Sequence, residues 1–82
     1  MDRARIRWAI RRGMLELDLV LGLFFEGCYD QLSPKLQQDF VALLSCPDQQ
    51  LFDWLVKKQP VDDPTLVAIV GEIIRESQLF KS

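Results

Sequence analysis

Histidine is absent from this 82-residue chain, and cysteine occurs only twice, as Cys28 and Cys46. The lack of histidine excludes catalytic triads of the Ser-His-Asp or Cys-His kind. The two cysteines do not have the CxxC spacing of a zinc site, so we expect no metal site. Glycine-rich phosphate loops are missing too, since the glycines are isolated, and no carboxylate pair stands out for acid–base chemistry. We therefore expect that the chain is not an enzyme.

Long hydrophobic runs are also missing. The apolar stretch from Leu19 to Phe25 is far shorter than the roughly 20 residues that span a membrane. No secretory signal is recognisable at the N-terminus. We therefore expect no membrane insertion, a location in the bacterial cytoplasm, and reduced, half-buried thiols in preference to a Cys28–Cys46 disulfide.

The remaining composition is that of a globular protein, with 49% hydrophobic and 27% charged residues. Apolar residues recur with helical spacing, whereas no segment alternates as a strand would. Ser33-Pro34 and Asp63-Pro64 combine a capping side chain with a proline suited to the first helical turn. The second helix has so little polar surface that it should lie in the middle of the bundle. These patterns predict an all-α fold, a compact single-domain bundle of about five short helices over residues 3–12, 14–28, 34–45, 48–58 and 64–78.

The formal net charge of −2 hides a strongly basic first helix. A basic end on an acidic body suits a partner with negative groups, which could be nucleic acid, a membrane or an acidic protein surface. The acidic body, the pI of about 4.9 and the lack of helix-turn-helix spacing argue against nucleic acid, which stays an alternative beside an adaptor bundle for an unrelated protein. The basic residues of this segment are Arg3, Arg5, Arg7, Arg11 and Arg12.

The presence of Arg12-Gly13 followed by Glu16 is difficult to explain by a contribution to helix stability. On one continuous helix, an Arg12–Glu16 pair would contribute about 0.3–0.5 kcal/mol, whereas a glycine in the helix would cost about 1 kcal/mol relative to alanine. A break at Gly13 explains the residues better, because a bare backbone allows close approach while a guanidinium and a carboxylate flank it. The spacing alone leaves two interpretations open, a recognition site or a glycine that ends a helix among solvated charges.

Trp8 shares a face of the first helix with Arg5 and Arg12, away from the apolar stripe. Tryptophan is usually packed against a neighbour, but it is also a frequent anchor in contact patches. Both interpretations are open at this point.

The segment from Trp8 to Asp18 resembles the signature of the FAD assembly factors of succinate dehydrogenase, whose hallmark is an RGxxE motif. Further similarities follow in order over nearly the whole chain. The loop before Pro60 departs from the family, since many relatives carry a glycine where this chain has Lys57-Lys58-Gln59. The later matches are Phe24-Phe25, Tyr29, Leu32, Phe40, Leu43-Leu44, Leu51-Phe52-Asp53-Trp54-Leu55 and Pro60.

The resemblance implies a chaperone-like protein that binds the flavoprotein subunit of succinate dehydrogenase, and often of fumarate reductase, and promotes covalent attachment of FAD. It implies that FAD is the cofactor of the client and is not held stably here, although whether this chain has any FAD-binding residues stays open. We expect the free protein to be a monomer. Carried over to this sequence, the motif falls on Arg12, Gly13 and Glu16. Neighbouring candidates for the partner-binding surface are Arg11, Met14 and Asp18, with Trp8 and Arg5 on the first helix.

Overall fold

The computed structural model describes residues 2–81, with side chains up to residue 78. Within this range the chain forms five α-helices and no strand, so the predicted all-α class is confirmed. The radius of gyration, 11.5 Å, is close to the roughly 12 Å expected for one compact domain of this length. The elements are α1 (Arg3–Ile10), α2 (Leu15–Cys28), a 3-10 turn (Tyr29–Gln31), α3 (Pro34–Leu43), α4 (Asp48–Leu55) and α5 (Val67–Lys81).

Helix ends differ from the predicted ones by up to three residues, for local reasons. Helix α1 ends at Ile10 because the backbone N–H groups of Arg12 and Gly13 bond to the Asp18 carboxylate and not to carbonyls of the helix. Helix α4 ends at Leu55, after which Lys58 takes the left-handed conformation with φ of 59°. Before α5, the Asp63 carboxylate accepts a hydrogen bond from the Thr65 N–H at 2.9 Å, which makes residues 64–66 a turn. The predicted cap of α3 is present, with the Ser33 hydroxyl accepting from the Leu36 N–H.

Helix α2 is the central element and contacts α1, α4 and α5. The ring of Phe40 lies 5.6 Å from that of Phe24 and 6.3 Å from that of Phe25, measured between centroids. This cluster fixes the direction of α2 and therefore the position of the turn that precedes it. The fully buried side chains of the core are Ile6, Leu17, Leu21, Phe24, Phe25, Phe40, Leu43, Leu51, Ile69, Val70 and Ile73.

Helix α2 lies in the middle of the bundle as predicted, but one of its apolar faces is uncovered. Leu15, Leu19 and Leu23 remain 87%, 57% and 42% exposed. They recur every four residues, on the side of α2 opposite Leu17 and Leu21. No neighbouring helix covers this row, because the helices that contact α2 pack against its other side.

Candidate functional site

The turn between α1 and α2 places Gly13 at the surface. Its φ is +82°, a conformation that glycine adopts without the penalty other residues incur. A Cβ at this position would meet nothing within 4 Å, so the backbone lies open to an approaching molecule. Gly13 is therefore needed for the shape of the turn, and the space above it is free.

Asp18 holds the turn from the first part of α2. Its carboxylate accepts hydrogen bonds from the backbone N–H groups of Arg12 at 2.9 Å and Gly13 at 3.1 Å. These two donors consequently do not continue the hydrogen-bond ladder of α1, which ends the helix two residues before the predicted position. Asp18, predicted as a neighbour of the motif on a contact surface, is half-buried and acts within the chain.

Arg12 is turned inward, with its side chain only 13% exposed. Its Nη1 donates to the Cys46 carbonyl at 2.9 Å and to Asp48 Oδ1 at 3.0 Å, and its Nε donates to the Ala9 carbonyl at 2.9 Å. A further bond runs from Nη2 to the carbonyl of Leu44. The planar guanidinium thus ties the end of α1 to the loop between α3 and α4. The expected layout, in which Arg12 presents its fork to a partner, is replaced by one in which Arg12 fixes the turn.

The other candidate residues divide into exposed and packed side chains. Arg11 and Glu16 are exposed on either side of Gly13. The guanidinium of Arg11 has no hydrogen-bond or ion-pair partner among residues 2–78. Trp8 is 82% exposed, so the interpretation in which it packs against a neighbouring helix is wrong. Met14 is partly buried and packs against the core.

A groove of about 550 Å³ runs between α1 and α2 beside this turn. Ile10 and Phe25 contribute its apolar lining, and Arg11, Gly13 and Gly22 also border it. The turn and the groove therefore form one continuous surface.

The remaining basic residues of α1 interact mainly within the chain. Arg3 pairs with Asp30 at 2.5 Å and Arg7 with Glu26 at 2.8 Å. Both guanidinium groups also lie over the ring of Phe25, at 4.7 and 5.7 Å from its centroid. The hydrogen bond from Arg7 lowers the pKa of Glu26, which keeps that carboxylate ionised. Much of the positive charge that suggested nucleic acid is thus neutralised by the chain itself.

Arg5 differs from these two, since its side chain is 78% exposed and lies 3.9 Å from Asp2. It borders a shallow depression together with Trp8 and Ala9. The predicted proximity of Arg5 and Trp8 is therefore present, whereas Arg12 is directed away from them.

Both cysteines are free and half-buried, as expected. Burial raises the pKa of the Cys28 thiol, and the neighbouring carboxylates of Glu76 and Glu72 raise it further. Burial also raises the pKa of Cys46, with a smaller contribution from Asp63 and an opposing one from Arg12. Among the described residues, no helix is both long and apolar enough to cross a membrane.

Comparison with known proteins shows the family to which the chain belongs. Residues 4–77 match the model of the family described as "Flavinator of succinate dehydrogenase". The chain belongs to this family. A relative from Vibrio parahaemolyticus, named FAD assembly factor SdhE, is 47% identical over 89% of this chain and 85% of its own length. A relative of the same name from Vibrio vulnificus is 60% identical over 67% of this chain, and the match spans 64% of that relative.

The solution structure of a UPF0350 protein has the same fold. It superimposes with a TM-score of 0.76 at 45% identity, covering 95% of this chain and 83% of that one. The resemblance to this flavinator family inferred from the residues around Gly13 is thus confirmed. What the family motif did not reveal is the leucine row of α2, although the four-residue spacing of Leu15, Leu19 and Leu23 opposite the core face was visible in the sequence.

Proposed function

We propose that this chain binds the flavoprotein subunit of succinate dehydrogenase, and that of fumarate reductase where present, and promotes covalent attachment of FAD to it. The observation that carries the proposal is the exposed left-handed turn at Gly13, bordered by Arg11 and Glu16, in a chain of the flavinator family. A bare backbone allows the client to approach closely, and the two charged side chains give that approach a defined orientation.

The chain acts in this proposal as a helper and not as the catalyst. By binding one conformation of the client better than others, it shifts the client toward the conformation in which FAD is attached. FAD belongs to the client and is not held stably by this chain, which works as a monomer in the bacterial cytoplasm. A protein purified without its client should therefore show no flavin absorbance.

Arg12 and Asp18 have an indirect role in this proposal, and Met14 packs against the core. The Arg12 guanidinium fixes the loop of residues 44–48 beneath the turn, and Asp18 holds the turn's own backbone. The residues that would touch the client are Gly13, Arg11 and Glu16, with Trp8 and Arg5 at the edge of the contact.

The test is Gly13→Arg in cells that depend on this chain for covalent flavin, read by in-gel fluorescence of the flavoprotein subunit. We expect covalent FAD to be lost, because the long side chain blocks the approach. Gly13→Ala introduces a Cβ and hence a similar backbone strain without the bulk, and should retain more activity than Gly13→Arg.

Gly71→Arg is the matched control, since it makes the same change at an exposed glycine of α5 where a Cβ also meets nothing within 4 Å. It should flavinylate normally. Wild-type fluorescence with a folded Gly13→Arg protein would disprove the role of this turn.

A further inference from the structure

The outer face of α2 carries a leucine stripe, which we define as Leu15, Leu19 and Leu23. Among the described side chains five large hydrophobic residues are exposed, and three of them form this one row. Single exposed apolar residues are ordinary, but a contiguous row on a folded surface is typical of a contact site. The core does not require these leucines, because the side chains that α2 contributes to the core lie on the opposite side of the helix.

The stripe adjoins the turn at Gly13. Leu15 is two residues from Gly13 and next to Glu16, and its side chain is 87% exposed. A partner that comes into close contact with the Gly13 backbone would therefore also cover Leu15. The i, i+4 spacing continues the same surface along α2 to Leu19 and Leu23.

At the end of the stripe nearest the turn, Arg11 favours a carboxylate on the partner. The guanidinium of Arg11 has no partner among the described residues, and Arg11 borders the turn together with Gly13. A second copy of this chain is a poorer occupant, because it would cover the Gly13 turn in the free protein and hide the site from its client.

We propose that the leucine stripe binds an apolar patch on the flavoprotein subunit, bordered by carboxylates that face Arg11. The inference rests on the proposed function and adds the chemistry of the surface that this chain recognises. The apolar contact gives the complex its lifetime, while Arg11 contributes mainly to the rate and the salt dependence of association.

The experiment measures the affinity of purified variants for the flavoprotein subunit of succinate dehydrogenase, isolated from a strain lacking this factor. Leu19→Gln removes an apolar side chain that is 57% exposed, and Val67→Gln is the matched control, since Val67 is 51% exposed on α5. Both changes keep the charge and suit a helix. We expect Leu19→Gln to weaken binding about tenfold and the Leu15→Gln, Leu19→Gln double variant to weaken it more, with Val67→Gln unchanged.

Four further outcomes test this inference and separate it from the proposed function. Arg11→Gln should lower the dependence of the association rate on salt and leave the effect of Leu19→Gln intact. If the leucine variants bind as the wild type does while Gly13→Arg is inactive, the stripe is not a contact and the proposed function stands. If the wild type sediments as a dimer that Leu19→Gln dissociates, a second copy occupies the stripe and the inference is wrong. If the wild type does not bind the subunit, the proposed function itself is wrong.

Discussion

Replacing Arg12 by alanine should destabilise the protein strongly, because the side chain works inside the structure. The change leaves the carbonyls of Ala9, Leu44 and Cys46 without the charged donor they share. Hydrogen bonds to a charged group contribute about 1.5–3 kcal/mol each, but the exposed loop can recover water. We therefore expect a loss of about 3 kcal/mol, out of a total of roughly 4–12 kcal/mol for a domain of 82 residues.

The assay is thermal and urea unfolding followed by circular dichroism at 222 nm. A loss of about 3 kcal/mol corresponds to a decrease in Tm on the order of 15 °C for a domain of this size. Arg12→Lys keeps the charge but loses the planar fork, and should lie between the wild type and Arg12→Ala. Asp48→Asn should cost less than about 1 kcal/mol, because the Asp48 side chain is 47% exposed.

Flavinylation by these variants then tests whether Arg12 acts by holding the loop and not by contacting the client. Below its unfolding temperature, Arg12→Lys should retain part of its activity, in proportion to how well the turn keeps its shape. An Arg12→Ala protein that melts like the wild type yet fails to flavinylate would refute the reasoning, since it would show that the guanidinium acts on the client and not on the loop.

Three further predictions follow from individual residues. Lys58→Gly should raise Tm by several degrees, because a non-glycine residue at φ of 59° incurs about 1 kcal/mol of strain; an unchanged or lower Tm would contradict this. Asp18→Asn loses one of its two acceptor oxygens and should lower stability by about 1 kcal/mol, measured in urea, while Asp62→Asn, an exposed control, should not. The Cys28 and Cys46 thiols, whose pKa values lie above the ordinary 9.0, should react slowly with a disulfide reagent at pH 8 and faster as the pH rises; denatured protein should react quickly.

The same thiols should make the stability of the protein decrease as the pH rises above neutrality. Because their folded-state pKa values are raised above the unfolded ones, burial of the neutral thiols stabilises the protein below the unfolded pKa. This contribution is lost as the pH rises through the folded pKa. A double Cys28→Ser, Cys46→Ser variant should therefore lose less stability than the wild type between pH 8 and pH 10.

The helices could be predicted from the sequence because apolar spacing, caps and prolines are local signals. Ser33-Pro34 marked the start of α3 to the residue. The motif around Gly13 could be located as well, since a glycine in the left-handed region is needed to separate two helices. These features depend on residues only a few positions apart.

The role of Arg12 could not be predicted in the same way. Its acceptors include backbone carbonyls 32 and 34 positions away, and a carbonyl has no signature in the sequence. The exposure of Trp8 likewise depends on which helices pack beside α1, and the sequence left it undecided. The sequence shows that α2 has little polar surface, but which of its faces stays uncovered depends on the packing of the other helices and leaves Leu15, Leu19 and Leu23 exposed.

The hydrogen bonds from Arg12 and Gly13 to Asp18 have a consequence for the thermodynamics of recognition. They order the turn in the free protein, so the client meets a pre-organised backbone and little conformational entropy is lost at Gly13 on association. A contact made through this turn can therefore be specific even if its area is limited, because little binding free energy is lost in fixing the backbone.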